Sequence, residues 1–304
     1  MDLSFARPRG LSTWRAGLAA ALLGLSPALL AASICVVDDA QRDVCLPAPA
    51  QRIASLSPGA TELVFAAGGG ERVVAVVAFS DYPPEARTLP SVGSHSRLDL
   101  ERLLTLQPDL AIVWGSGDSA EQMAALEDFG VPVFYLEPKN AEGIARAIER
   151  LARLSASETV GRQAAERFRQ GMAELTEQYR DSEPVTVFYQ VWNKPLMTVN
   201  DSHLIGQVIR LCGGRNVFAE LPRQIPRIDI EAVLTANPQA ILAGGMGEEN
   251  RYWLTEWQAY PGLQAVQQGN LFFIPPSLVQ RPTPRLLEGA RLLCESLETS
   301  RARR

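Results

Sequence analysis

SASETVGRQAAERFRQGMAELTEQY, Ser155–Tyr179, is the stretch on which the fold turns. It has no proline, carries glycine only at Gly161 and Gly171, and places Val160, Ala164, Phe168, Met172 and Leu175 at spacings of three and four. That period is one apolar face of a long helix, with Ser157 and then Glu158 as its start. On its N-terminal side, strand-like runs at Arg52–Leu56, Val73–Phe79, Asp109–Trp114 and Pro132–Leu136 alternate with helical patterns at Ala60–Ala67, Leu98–Leu106, Ala120–Phe129 and Glu142–Leu154. On its C-terminal side, strands at Val185–Gln190, Ala240–Ala243 and Leu271–Ile274 alternate with helices at Leu204–Leu211, Asp229–Ala236, Arg251–Gln258 and Arg285–Leu297. Each side has the βαβ rhythm of a parallel sheet covered by helices, so the long helix joins two α/β units. A connector of this kind resists large relative rotation of the two.

The two units echo one another. LDLERLLTLQPDLAIV (Leu98–Val113) and IDIEAVLTANPQAILA (Ile228–Ala243) share the order apolar-Asp-apolar-Glu, then Leu-Thr, then Pro and a strand. Asp99 and Asp229 sit where helix N-caps belong, and Glu101 and Glu231 fall in first turns, where the helix dipole favours an acid. Capping chemistry accounts for the aspartates. The glutamates also form a matched pair of charges suited to a symmetric basic partner.

The first residues read as a leader. Met1–Arg15 carries three arginines against one aspartate, and an apolar run, Ala16–Leu30, is followed by Ala31, Ala32 and Ser33. That is the order of a secretory signal peptide, and the run is short for a bilayer span. Ile34 before Cys35 speaks against lipid attachment. Without the leader the formal net charge moves from −5 to −7, which disfavours nucleic acid as a partner. Four cysteines in an exported chain favour two disulfides. Cys35 and Cys45 flank VVDDAQRDV, a short hairpin, and Cys212 pairs with Cys294, tying two helices; unpaired buried thiols are the competing reading. With no CxxC and only His95 and His203, a zinc site is not expected.

Ligands of open α/β sheets bind beyond the carboxyl ends of the strands. That rule selects Ser57–Thr61, Ser80–Pro83 and Trp114–Ser119 in the first unit, and Val191–Met197, Gly244–Gly247 and Pro275–Arg281 in the second. Within these lie Tyr82, Trp114, Trp192, Met197 and Arg281. Pro83 and Pro84 stiffen the backbone around Tyr82, either as a structural corner or as a binding wall. Each aromatic is open to a second reading as core, and Arg281 as a solvated arginine. A fixed guanidinium fork among apolar residues suits amide or phosphate oxygens. The glycines of Gly244–Gly247 lack the spacing of a nucleotide fingerprint. There is no G-x-S-x-G, no P-loop and no H-E-x-x-H, so a binding protein is expected rather than an enzyme. An exported enzyme with Asp118 or Glu137 as general base is the reading from the other class.

RIASLSPGATELVFAAG, FSDYPPEA, LDLERLLTLQPDLAIVW, the long helix, LCGGRNVF and RPTPRLLEGARLLC together resemble the periplasmic cobalamin-binding proteins of ABC importers, from about Cys35 to Glu298. The resemblance implies two Rossmann-like lobes with parallel sheets joined by one long rigid helix. It implies a leader over 1–33, an N-terminal lobe over 34–154, the linking helix over 155–182 and a C-terminal lobe over 183–304. A corrinoid is then held between the lobes as cargo, with no cofactor. By resemblance Tyr82 is the cleft tyrosine, Trp114 the tryptophan after the third strand and Arg281 the arginine that hydrogen-bonds the ligand. Glu101 and Glu231 are the acids that meet permease arginines, and Cys212–Cys294 is the lobe disulfide. His95 and Ile225 stand where some members place tryptophan, and Trp192 and Met197 near where some place phenylalanine. His95 is either a surface or cap histidine or an axial ligand of cobalt. A corrin ring has broad apolar faces and an amide-rich rim, which flat aromatic walls and a few donors would suit. The expected partners are a corrinoid and an inner-membrane permease, with the free protein monomeric. A ferric siderophore or haem binder on the same scaffold is the alternative, although siderophore sites want several basic residues and the selected segments offer chiefly Arg281 and Lys194.

Overall fold

A computed structural model describes residues 33–94, 97–244 and 247–303. The expected leader, apart from Ser33, lies outside the described residues, as do His95, Gly245 and Met246. Among the described residues, no helix is long and apolar enough to cross a membrane.

The described chain starts with an antiparallel hairpin, β1 (Ile34–Val37) and β2 (Asp43–Leu46), in which Cys35 stands directly opposite Cys45 and is joined to it. Next come β3 (Ile53–Ser55), α1 (Pro58–Ala66), β4 (Val73–Val76) and a minimal hairpin of β5 (Gly93–Ser94) and β6 (Arg97–Leu98). Then α2 (Leu100–Thr105), β7 (Leu110–Trp114), α3 (Ala120–Asp128), β8 (Val133–Leu136) and α4 (Ala141–Leu154) complete the first half. Its parallel sheet has the order β4-β3-β7-β8. The second half contains β9 (Val185–Gln190), α6 (Leu204–Leu211), β10 (Gly214–Asn216), α7 (Ile230–Ala236), β11 (Ala240–Ala243), α8 (Tyr252–Glu256), α9 (Gln264–Gln267), β12 (Leu271–Phe273), α10 (Pro276–Val279) and α11 (Leu286–Ala302). Its parallel sheet has the order β10-β9-β11-β12. In both, the first strand is central and the second and third flank it, so each lobe has a switch point between its first and third strands.

The internal repeat extends to backbone conformation. Asp99 caps α2 by accepting from the Arg102 amide at 3.0 Å, and Asp229 caps α7 by accepting from the Ala232 amide at 2.8 Å. Each helix is followed by a left-handed residue just before a proline, Gln107 (φ 47°) before Pro108 and Asn237 (φ 41°) before Pro238. β7 and β11 follow, each the third strand of its sheet.

Between the lobes runs α5 (Glu158–Gln178), the expected connector. Ser157 precedes it, but its hydroxyl donates to the Ala67 carbonyl at 2.6 Å instead of capping the helix, which ties the start of α5 to the end of α1. The two glycines have separate uses. A Cβ at Gly161 would stand 2.3 Å from Ala152 Cβ of α4, and one at Gly171 would stand 2.4 Å from Leu287 Cδ2 of α11. The helix thus approaches one element of each lobe closely, while Arg169 clamps Glu142 and Glu149 of α4. Phe168, Met172 and Leu175 are buried and Ala164 is half-buried, as the periodicity requires, whereas Val160, read onto the same face, is 49% exposed in the first turn. Truncating the fully buried Ile148 of α4 at this interface would cost about 2–5 kcal/mol.

The structure revises several expected boundaries. The strand expected over Val73–Phe79 stops at Val76, where its partner β3 ends at Ser55, and the chain then turns at Phe79 in a left-handed conformation (φ 66°). Leu98 belongs to β6 rather than to the helix after it. The helix expected over Arg251–Gln258 gives way to a 3-10 turn at Trp257–Ala259. β10 is an edge strand without apolar alternation, so the sequence carries no strand signal there. Cys212, at the end of α6, is bonded to Cys294 in α11, and both are fully buried.

Candidate functional site

The site is built from the ends of parallel strands. After β3, the Ser57 hydroxyl accepts from the Ala60 amide at 3.1 Å and Pro58 opens the helix, which starts α1 immediately beyond the strand. Thr61 of α1 lies 2.8 Å from the Ser55 hydroxyl and donates to Ser80 at 3.2 Å. These buried hydroxyls fasten the segment after β4, and that segment carries Phe79, Asp81 and Tyr82. The Tyr82–Pro83 bond is cis.

Arg281, which follows α10, reaches across to the first half of the chain. Its Nη1 donates to Glu62 Oε1 at 3.0 Å and to Asp81 Oδ1 at 2.9 Å, and its Nη2 to the Phe79 carbonyl at 3.2 Å. Arg285 joins from just before α11, donating through Nε and Nη2 to the two Glu62 oxygens at 3.0 and 2.7 Å. Its guanidinium carbon lies 4.1 Å from the centre of the Tyr82 ring. The Glu62 side chain is only 2% exposed, so its charge is compensated by two arginines away from water. Burial by itself would lower the Arg285 pKa, but the hydrogen bonds and charge of Glu62 outweigh it and raise the pKa further. Burial likewise pushes Asp81 upward, and the Arg281 bond and charge reverse this, leaving its carboxyl below the usual range. Arg281 is therefore not a solvated arginine, and its fork is fixed by two carboxylates and a carbonyl rather than set among apolar residues alone.

Tyr82, Trp114 and Trp192 are 43%, 42% and 41% exposed, so none is a core plug. Trp114 ends β7; its amide donates to Asp118 Oδ2 at 2.6 Å, and Gly117 packs against its ring. Trp192 lies just beyond β9, packs edge-on against Trp253 at 5.9 Å, and donates its indole N–H to the Lys194 carbonyl at 3.1 Å. Met197 is half-buried and bridges to Trp192 and Arg227. Tyr82 and Arg281 are thus brought together through Asp81 and Arg285, and Trp192 with Met197. His95 lies outside the described residues. Glu101 and Glu231 are exposed in the first turns of α2 and α7.

The general bases of the enzyme reading have structural partners. Asp118 holds the turn after Trp114, and Glu137 accepts from Ser116 at 2.8 Å and pairs with Lys139. His203 caps α6 by accepting from the Ile205 amide. Among the described residues no group of acids, histidines and cysteines is arranged to hold a metal.

The family model described as "Periplasmic binding protein" matches residues 53–278. The chain belongs to the periplasmic binding protein family. Among the relatives of this periplasmic binding protein, a "Vitamin B12-binding protein" of Vibrio cholerae serotype O1 is 39% identical over 252 residues, 83% of this chain and 91% of the relative. Another protein of that name, from Yersinia pestis, is 35% identical over 90% of this chain and 95% of its own. The crystal structure of the periplasmic vitamin B12 binding protein BtuF of Vibrio cholerae superposes with a TM-score of 0.75 at 37% identity, covering 83% of this chain and 98% of that one. The apo haem-binding protein RhuT of Roseiflexus sp. RS-1 gives a TM-score of 0.73 at 24% identity over 84% of this chain and 99% of its own, a likeness of fold alone.

In this periplasmic binding protein, Glu62, Phe79, Asp81 and Arg285 join the constellation without being among the site residues expected from sequence. Glu62 has one signal, a lone acid among the buried Ala60, Leu63 and Val64 of α1. Phe79 is 78% exposed although it closes an apolar run.

Proposed function

We propose that this protein captures cobalamin, or a related corrinoid, between its two lobes in the periplasm and delivers it to an ABC importer of the inner membrane, without catalysing a reaction. The observation that carries this reading is the 39% identity to a protein named for vitamin B12 binding across 83% of the chain. The lobes span about 34–154 and 183–304, with a leader before them. The ligand wall consists of Tyr82, Trp114, Trp192 and Met197, with the exposed Phe79 ring added to it. Arg281 donates to the amide rim, and His95 belongs to the same set on resemblance. Exposed aromatic rings beyond strand ends supply the apolar faces that a corrin ring needs. Glu101 and Glu231 contact basic residues of the permease. Their shared place in the two repeats supports this, since a two-fold partner would meet both acids in the same way.

The test is quenching of tryptophan emission by cyanocobalamin. Saturable quenching in the wild type, with affinity lowered in Trp114→Ala, supports the reading. Quenching that never saturates would count against it.

A further inference from the structure

Glu62 is out of place in its helix. Ala60, Thr61, Leu63 and Val64 around it are all buried, and a carboxylate taken to 2% exposure is costly unless its charge is met. Two arginines meet it, from positions 219 and 223 residues further along the chain. The same oxygen, Oε1, accepts from both Arg281 and Arg285. With Asp81 Oδ1 and the Phe79 carbonyl, it gives Arg281 three acceptors, all from the first half of the chain. A guanidinium carries five N–H groups, and three separate acceptors fix its plane while engaging three of them.

We infer that Glu62, with Asp81 as its second, is the positioning residue of the cleft: it orients Arg281 so that the remaining N–H groups are presented to the amide-rimmed ligand. The inference rests on the corrinoid reading above and names a residue that acts through Arg281 without touching the ligand. Because donor and acceptors belong to different lobes, the same bonds also hold the lobes at the separation in which Arg281 is aimed. Arg285 keeps the Glu62 carboxylate in place from its other side, through a bidentate pair, and carries the ring of Tyr82 with it.

The experiment is a calorimetric cycle with cyanocobalamin on the full protein: wild type, Glu62→Gln, Arg281→Ala and the double variant, with urea unfolding of each free protein. Glu62→Gln is expected to weaken binding about tenfold in the wild-type background and no more than about twofold once Arg281 is alanine, the small remainder passing through Arg285 and Tyr82. General loosening of the fold would lower affinity equally in both backgrounds. Equal losses in the two backgrounds, or wild-type affinity in Glu62→Gln, would overturn the inference. Should Glu62→Gln fail to fold, Asp81→Asn replaces it in the cycle under the same two criteria, its side chain being 47% exposed. A wild-type protein that gives no heat with cyanocobalamin overturns the corrinoid reading, and the inference with it, before any variant is compared.

Discussion

Arg285 lies over the ring of Tyr82 while both edges of its guanidinium are committed, one to Glu62 and the other to Ser277. The tyrosine is therefore held against a cation that cannot follow it into solvent. A ring held in this way is a rigid wall, which limits the entropy lost when a ligand packs on it. Tyr82→Ala should weaken cyanocobalamin binding by about 1–3 kcal/mol, whereas Tyr82→Phe keeps ring and cation contact and should stay within about threefold of wild type. Calorimetry distinguishes them. Wild-type affinity in the alanine variant would leave the ring only its structural place beneath Arg285.

The two glycines of α5 should respond unequally to alanine. At Gly161 the new methyl would meet Ala152 Cβ, fixed on a neighbouring helix, as well as the Ile148 carbonyl oxygen at 3.3 Å, so one helix must shift. At Gly171 it would meet the end of the Leu287 side chain, which can rotate away, while the helix gains up to about 1 kcal/mol from losing a glycine. Gly161→Ala should lower the urea midpoint, and Gly171→Ala should stay within about 1 kcal/mol of wild type. The reverse order would mean that α5 is not docked on α4 as described.

Acid should weaken the fold through His203. Burial, followed by the charge of Lys139, pushes its pKa from 6.5 down to about 4. The folded ring resists protonation, so as pH falls below about 6.5 the unfolded chain takes the proton first. Stability is then lost progressively until about pH 4, by about 3 kcal/mol at most, with no contribution to the slope above 6.5. His203→Asn retains an acceptor for the helix cap and removes this titration. Urea midpoints for that variant should vary less with pH between 4 and 6.5; an unchanged slope would contradict the assignment.

The disulfides should differ in worth. Cys212–Cys294 spans 82 positions and Cys35–Cys45 only 10, and in the chain-entropy account the longer loop stabilises more, about 4.5 against about 2.7 kcal/mol. Paired serine substitutions at 212 and 294 should lower the melting temperature more than those at 35 and 45. Equal melting temperatures in both would argue against a loop-length origin.

Charge reversal at Glu101 and Glu231 should separate capture from delivery. Both acids are exposed and neither caps its helix, that task belonging to Asp99 and Asp229. Glu101→Arg with Glu231→Arg should leave cyanocobalamin affinity unchanged and reduce uptake through the reconstituted importer. Uptake at the wild-type rate would remove these residues from the docking surface.

What the sequence discloses follows from how local its causes are. The paired helix starts and the amphipathic face of α5 depend on neighbours a few positions away and can be read directly, whereas the left-handed turns at Gln107 and Asn237 run against the extended backbone that a following proline favours and are seen only in the structure. The Cys35–Cys45 bridge follows from a hairpin closing over nine residues. Phe79 misleads, because it extends an apolar run yet turns left-handed without glycine, and its carbonyl finds its partner only at Arg281. Glu62 looks like one acid among apolar neighbours, and its role depends on arginines more than two hundred positions away. Arg281 is selected from sequence by its place after a strand, but its acceptors can be seen only in three dimensions.

The central claim is tested most directly by calorimetric titration of the purified protein with cyanocobalamin, beside haem and a ferric siderophore. The account predicts tight one-to-one binding of cyanocobalamin and no heat from either iron ligand. Binding of haem or the siderophore with none of cyanocobalamin would contradict it, leaving the two-lobed fold in place and the cleft assigned to the wrong cargo.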